Sequence, residues 1–258
     1  MQFNHLRSEN VIFSMTGKET IKKILKLTPF NPLHIGDYIR NLHLMKIIRK
    51  LPLESFDHVL DAGCGDGHHA LNLAKRFPSV LIKGLDISTP FISDIYPPNL
   101  SFGTHDLINT LDNQQYDFIY SIDVLEHIPN NIKVIRNFFN AIKIGGYLYI
   151  HMPEKLSEKH ILSNKFFLDF DKWEQKEHIG ERYTLQEIEQ QLSKIGFEII
   201  ESGHTFGFIG QLAWEIDRLT DNKMILKIFL MPFLKVMAHI AVKISPKYGS
   251  IFCLSKKP

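Results

Sequence analysis

A chain of 258 residues with 44% apolar and 22% charged side chains is long enough to bury a full core as one large domain, or as a domain with an elaboration. A formal charge of +2 lacks the strongly basic balance of a dedicated nucleic-acid binder, so no nucleic-acid partner is expected. Two cysteines far apart in sequence, Cys64 and Cys253, exclude a disulfide framework and point to a reducing cytoplasm, and residues 1–20 carry neither the continuous apolar stretch nor the cleavage site of a secretory signal.

The first 50 residues read as helical, and residues 1–55 are expected to form N-terminal helices that cap the remainder. In "DYIRNLHLMKIIRKL", Ile39, Leu42, Leu44, Ile47 and Ile48 fall near helical spacing, and Pro52 closes the segment. From Asp57 the period changes. "HVLDAG" reads as a strand, "HHALNLAKRF" as a helix, and "VLIKGLD", "LSFGTHD" and "YDFIYSID" as three further strands. "NIKVIRNFFNAIK" is a helix, followed by Gly145, Gly146 and the strand "YLYIHM". Strands alternating with helices predict an α/β fold with a parallel sheet covered on both faces.

Residues 154–183 are polar and aromatic with no clean period, too long for an ordinary connection, and read as a lid or binding loop. Thr184 and Glu187 form a capping box at the start of "LQEIEQQLSKI", and Gly196 ends that helix. "FEIIESG" and the tail "GSIFCLSKK" are two more strands, separated by an apolar, helix-like insertion at 207–247.

The densest stretch is "VLDAGCGDGHH", Val59 to His69. It makes a poor metal site: Cys64 is alone between glycines, and adjacent His68 and His69 on a helix would point about 100° apart, so no metal is expected. Gly63, Gly65 and Gly67 instead suit a tight strand-to-helix turn where backbone approaches a ligand. His68 stands where the G-x-G-x-x-G dinucleotide fingerprint requires glycine, which speaks against a nicotinamide-dependent enzyme. Asp86 ends the second strand some twenty residues further on, placed to accept hydrogen bonds from ribose hydroxyls. Asp106 and "SIDVLEHIP" put polar residues at the ends of the next two strands, the edge where open α/β sheets bind ligands.

These segments in this order, "VLDAGCGDG", "GLDIS", "THDL", "YDFIYSIDVLEHIPN" and "AIKIGGYLYIHMP", resemble the class I S-adenosylmethionine-dependent methyltransferases over residues 56–203 plus the tail. "SIDVLEHIP" is similar to the branch acting on small molecules and lipids rather than nucleobase amino groups. The resemblance implies a methyltransferase domain over 56–258, with a Rossmann-like doubly wound seven-stranded sheet whose last strand is antiparallel and whose helical insertion precedes that strand. It implies that Asp61, Ala62, Gly63, Cys64, Gly65 and Gly67 lie in the loop under the methionine part of S-adenosyl-L-methionine, with Asp61 near its amino group. Asp86, followed by Ile87, would hold the ribose, Asp106 and Leu107 would face the adenine, and Ser121, Ile122 and Asp123 would line the far side.

A sulfonium methyl is already activated, so the protein must mainly align an acceptor and exclude water. The expected acceptor is a small or lipid-like molecule methylated at oxygen, with nitrogen, carbon or a non-catalytic cofactor-binding scaffold as alternatives. A hydroxyl acceptor benefits from a general base, for which His127, His151 and His178 are candidates, and Arg182 and Tyr183 are candidates for positioning the acceptor. In the 224–243 segment, Leu226, Phe229, Phe233, Met237 and Ile240 share one face of a helical wheel and Lys227, Lys235, His239 and Lys243 gather on the other, with Pro232 expected to break the middle. Such a helix either packs its apolar face on the fold or lies on a membrane surface, the second making the protein membrane-associated.

Overall fold

The computed structural model describes residues 34–88, 96–155, 160–244 and 246–258. A first helix, α1 (Ile35–Ile48), leads through a short 3-10 turn (Leu53–Ser55) into β1 (His58–Ala62). Then follow α2 (His68–Arg76), β2 (Leu81–Asp86), β3 (Leu100–Thr104), β4 (Tyr116–Ile122), a 3-10 turn (Leu125–His127), α3 (Asn131–Ala141) and β5 (Ile142–Pro153). Beyond these lie a 3-10 turn (Asn164–Phe166), α4 (Leu168–Glu177), α5 (Leu185–Ile195), β6 (Glu198–His204), α6 (Gly207–Leu219), α7 (Met224–Lys243) and β7 (Ser250–Lys256). The part of the predicted N-terminal helical region that falls on residues 1–33 lies outside the described residues.

The seven strands form one sheet in the order β3-β2-β1-β4-β5-β7-β6. Only β7 runs against its neighbours, pairing antiparallel with both β5 and β6, as the resemblance implied. Alternation along β1 sends Val59 to one face and Leu60 and Ala62 to the other. One face is covered by α3 and α5 through Val134, Ile135, Phe138, Ile188 and Leu192, the other by α1 and α2 through Leu44, Ile47, Ala70 and Leu73. The capping box forms as expected: Thr184 Oγ1 accepts from the Glu187 amide and Glu187 Oε2 from the Thr184 amide, while Gly196 closes α5 at φ 118°.

The alternation of strand and helix is incomplete. Between β3 and β4 the chain forms turns only, and Asn137 of α3 holds this connection by donating to the carbonyls of Leu107 and Asn109.

A third apolar cluster joins α1, α6 and α7 through Ile35, Ile39, Ala213, Met231, Leu234 and Ala238. It orients α7 differently from the helical-wheel expectation. Lys227, assigned to a solvated basic face, is 3% exposed, with Nζ 3.0 Å from Asp217 and 2.6 Å from Asp221. Leu226, Phe229, Phe233 and Ile240, whose side of the helix was the one able to pack on the fold, instead face outward, with Phe229 78% and Phe233 61% exposed. The reason is the ion pair: a helix of this composition has apolar residues on every side, so burying Lys227 against two carboxylates decides its rotation. Pro232 does not break α7, which runs through it with the proline on the exposed side.

Asp217 also accepts from the Ile35 amide at 2.9 Å, so one buried carboxylate ties the start of α1, the end of α6 and the start of α7. Truncating Lys227 to alanine leaves that carboxylate buried without its cation, a loss of about 3–5 kcal/mol. Urea unfolding of Lys227→Ala is expected to show a loss of that size, and a change below about 1 kcal/mol would contradict the structural role of the pair.

Candidate functional site

The chain runs outward from β1 to β2 and β3 and then returns to β4 on the other side of β1. Loops leaving β1 and β4 therefore diverge, which opens a crevice at the carboxyl ends of the strands. Here it widens into a cavity of about 800 Å³ bounded by the glycine loop, the end of β4, α1, α4 and α6.

Gly63, Gly65 and Gly67 have φ values of 82°, 52° and 75°, in the region that penalises a side chain. A Cβ on Gly63 would lie 2.3 Å from the Val124 side chain, so this glycine lets the loop pack against the chain leaving β4. Around Gly65 no atom of the described residues lies within 4 Å of such a Cβ, which leaves that side of the loop open to a ligand. The Gly65 amide donates to Asp86 Oδ2 at 2.9 Å, and Asp86 Oδ1 accepts from the Ser88 amide at 3.1 Å, binding the loop to the end of β2. Behind the loop, Asp61 is 3% exposed and its Oδ2 has no hydrogen-bond partner among the described residues. Burial pushes this carboxyl up to about 7.

Of the expected cofactor contacts, Gly63, Cys64, Gly65, Ile122 and Asp123 line the cavity. Asp86 and Asp106 stand at the ends of neighbouring β2 and β3, outside this lining, with Asp106 Oδ1 accepting from the Ile108 amide at 3.1 Å and Ile87 exposed. Gly67 caps the start of α2, and Ala62 and Leu107 are buried in the core. Ser121 is buried too: its hydroxyl donates to the Ala62 carbonyl at 3.0 Å, fastening β4 to β1 rather than facing the cavity. His68 and His69 do not point apart. Both line the cavity with ring centroids 3.9 Å apart, and His68 Nδ1 is 2.6 Å from Asp66 Oδ1. Burial disfavours the charged His68 ring, but Asp66 outweighs it and the net shift is upward.

Asp123 takes a left-handed conformation, φ 51°, with one carboxylate oxygen paired to Arg40 of α1 and the other 2.7 Å from His151 Nδ1. Burial alone would raise this carboxyl, but Arg40 and His151 hold it well below the usual range. His151 is fully enclosed, and its Nε2 is 2.9 Å from Thr205 Oγ1. Both ring nitrogens are thus engaged away from the cavity, and the expectation that His151 serves as a base at the methyl group is not met. Tyr183 departs likewise: it is buried under α5, sharing its hydroxyl between Asn131 Oδ1 at 2.7 Å and Glu181 Oε2 at 3.0 Å. His127, His178 and Arg182 do line the cavity. Burial, reinforced by His127 and Arg182, lowers His178 to about 4, so its ring is neutral near pH 7.

Segment 154–183 contributes to the cavity through α4, with Phe170, Trp173 and Glu174 on its lining. The Arg218 guanidinium of α6 lies 4.3 Å from the Phe170 ring centre and 5.5 Å from that of Trp214. Glu215 of α6 accepts from the amides of Ile161 and Leu162, each at 2.8 Å, and anchors the segment before α4. Sequence reasoning passed over Arg40, Glu126, Trp214 and Arg218. Their placement depends on how α1 and α6 dock, and only Glu126, an acid inside the apolar run "VLEHIP", left a local signal.

Residues 37–202, well over half of the chain, match the family described as "Methyltransferase domain". A trans-aconitate 2-methyltransferase of Methylobacterium radiotolerans is 30% identical over 115 residues, 44% of each chain. The enzyme of that name from Escherichia coli is 28% identical over 126 residues, 48% of this chain and 50% of its own. The chain thus spans about half the length of the curated relatives it matches. Among solved structures, phosphoethanolamine N-methyltransferase 2 of Haemonchus contortus, in complex with S-adenosyl-L-methionine, superposes with a TM-score of 0.61 at 20% identity, over 92% of this chain and 60% of that one. Together with the seven-stranded sheet and its antiparallel last strand, the family match shows that this chain belongs to the class I S-adenosylmethionine-dependent methyltransferases.

Proposed function

We propose that the chain transfers a methyl group from S-adenosylmethionine to an oxygen of a small-molecule or lipid-like acceptor. The observation that carries this reading is a single cavity joining the glycine loop to a wall of histidine, arginine and aromatic side chains on α1, α4 and α6. The residues present suit the cofactor. Gly65 offers an open backbone face, Asp61 has a buried carboxylate oxygen with no hydrogen-bond partner among the described residues, and Asp86 ends the neighbouring strand. S-adenosylmethionine supplies an electrophilic methyl group on a sulfonium, together with an ammonium that an ionised Asp61 would neutralise. The chain's own work is then to orient the acceptor, exclude water and receive the acceptor's proton. Among the candidates, His127, His178 and Arg182 reach the cavity and suit those tasks. The named relatives act on trans-aconitate and phosphoethanolamine, and Arg182 and Arg218 stand on the cavity lining, where a carboxylate or phosphate of an acceptor could pair with them.

Calorimetric titration of S-adenosylhomocysteine into the purified protein is expected to show one site, with affinity lost in Asp86→Ala. No heat from a folded wild-type protein would overturn the cofactor assignment. S-adenosylhomocysteine must then accumulate when an acidic hydroxyl or carboxylate acceptor is supplied with S-adenosylmethionine.

The Asp61 carboxyl adds a pH signature. Its folded value of about 7 lies above the ordinary 3.8, so the folded state holds a proton that the unfolded chain releases. Its contribution to stability is complete below about pH 4 and is lost as the pH rises through about 7. Asp61→Asn is therefore expected to raise Tm at pH 8, with little change near pH 4, while weakening S-adenosylhomocysteine at least about tenfold through the lost charge-assisted contact. A Tm gain equal at both pH values would contradict this assignment.

We also propose that the outer face of α7 rests on an anionic lipid surface of the cytoplasmic leaflet. α7 is long and apolar enough to cross a membrane by length and composition, but it packs one side on α1 and α6 and presents Ile225, Phe229, Phe233, Val236 and Ile240 on the other. From Asn222 to Pro258 the chain has seven lysines and no acidic residue, and exposed Lys223, Lys243 and Lys247 flank the apolar stripe. That pairing of apolar stripe and flanking cations suits an interfacial helix. Sedimentation with vesicles containing phosphatidylglycerol is expected for the wild type and lost in Phe229→Ser/Phe233→Ser. Wild-type protein left in the supernatant at low salt, or a double variant that still sediments, would overturn the proposal.

A further inference from the structure

At one end of the cavity Glu126 and His127, on the turn that follows β4, meet His178, just beyond α4. One potential ligand atom from each of the three lies within 4.8 Å of the others. We propose that these side chains form a binding site for a divalent transition-metal ion, open on its cavity side to the acceptor.

Glu126 supplies the strongest argument. It is 1% exposed, and its Oε2 makes no hydrogen bond among the described residues. A buried carboxylate oxygen without a donor is costly, and a cation would remove that cost. The histidines are prepared in complementary ways. His127 Nδ1 is 3.1 Å from the Glu177 carbonyl, so Nδ1 carries the proton and Nε2 is left to bind a metal. Orientation of one ring nitrogen by a backbone carbonyl is the usual support for a ligating histidine. Among the described residues His178 Nδ1 is buried without a hydrogen bond, with Glu174 Oε1 at 3.7 Å, and its ring meets that of His127 edge to face with centroids 4.9 Å apart.

Ligand atoms about 2.1 Å from a cation stand about 3–4 Å from one another, so small side-chain rotations close the set. Two imidazoles and a carboxylate favour a transition metal over Mg²⁺ or Ca²⁺, which take oxygen ligands. Three protein ligands leave positions open toward the cavity. The site is also built from distant parts of the chain: the Gly180 amide donates to the Glu126 carbonyl at 2.8 Å, and a Cβ on Gly180 would lie 2.5 Å from the Leu125 carbonyl oxygen. Backbone packing at Gly180 therefore holds the His178 segment against the turn after β4.

The role of the ion rests on the methyl-transfer reading above. With the ion bound, His127 and His178 act as ligands rather than as the acceptor's base: an acceptor hydroxyl or carboxylate oxygen bound there is oriented, and a hydroxyl loses its proton to water more readily. The oxygen lone pair then forms the O–C bond as the S–C bond breaks, with the S–C electron pair remaining on sulfur.

The test is titration of Co²⁺ into untagged, chelator-treated protein, followed by visible absorption and without any acceptor. One equivalent is expected to bind with d–d bands typical of nitrogen ligation, and Zn²⁺ to displace it. Glu126→Gln and His178→Ala are each expected to weaken Co²⁺ by about tenfold or more. S-adenosylhomocysteine binding in both variants serves as the control for folding, and Glu126→Gln replaces an uncompensated buried acid with a neutral isostere. A wild type that develops no bands at one equivalent, or variants that bind Co²⁺ as the wild type does, would overturn the site. Failure of the wild type to bind S-adenosylhomocysteine would instead remove the methyl-transfer reading, leaving the Co²⁺ result interpretable on its own.

Discussion

The cavity depends on one buried chain of polar contacts, Arg40 to Asp123 to His151 to Thr205. Arg40 belongs to α1, Asp123 follows β4, His151 lies in β5, and Thr205 follows β6. The sheet could form without this chain, since its strands pair through backbone groups alone. For α1, which already packs on the sheet face through Leu44 and Ile47, these contacts add a polar tie to the strand ends. Asp123 accepts a left-handed backbone to make both contacts, and Arg40 and His151 hold its carboxyl well below the usual range despite burial. Such a carboxylate is worth its desolvation only while both partners stay, so α1 and the strand ends are fixed together rather than separately.

A second buried carboxylate applies the same logic to the outer helices. Asp217 takes the Ile35 amide and the Lys227 ammonium, and so sets how α6 and α7 lie against α1. Those contacts aim Trp214 and Arg218 toward the cavity and the phenylalanines of α7 outward. The two networks meet in α1, which carries Arg40 near its middle and the Ile35 amide at its start. One helix thus joins the cofactor loop side of the sheet to the amphipathic surface, and the cavity between them is shared by both.

Charge is unevenly neutralised within this frame. Asp123 and Asp217 have cations within ion-pair distance, whereas Asp61 Oδ2 and Glu126 Oε2 are buried with no hydrogen-bond partner among the described residues. Asp61 lies behind the glycine loop and Glu126 at the far end of the same cavity, next to His127 and His178. A buried acid without a nearby cation carries a desolvation cost that Asp123 and Asp217 largely avoid.

What the sequence determined by itself was the seven strands, the antiparallel last strand by resemblance, the glycine turn and the capping box of α5. Each rests on local chemistry: apolar periodicity, glycine's access to positive φ, and a side chain reaching three residues along its own helix. The positions of Gly63, Gly65, Ile122 and Asp123 at the cavity follow from these, because a strand end has only one edge of the sheet to occupy. Tertiary structure decided the rest. His151 and Tyr183 looked like site residues beside His127 and Arg182, and only the burial of their polar atoms against Asp123, Thr205, Asn131 and Glu181 removed them. Lys227 looked solvated until two carboxylates from α6 and the turn after it surrounded it. In each case the deciding partner lies far along the chain or around a fold whose docking angle no local pattern encodes, so side-chain direction, unlike element type, belongs to the packed molecule alone.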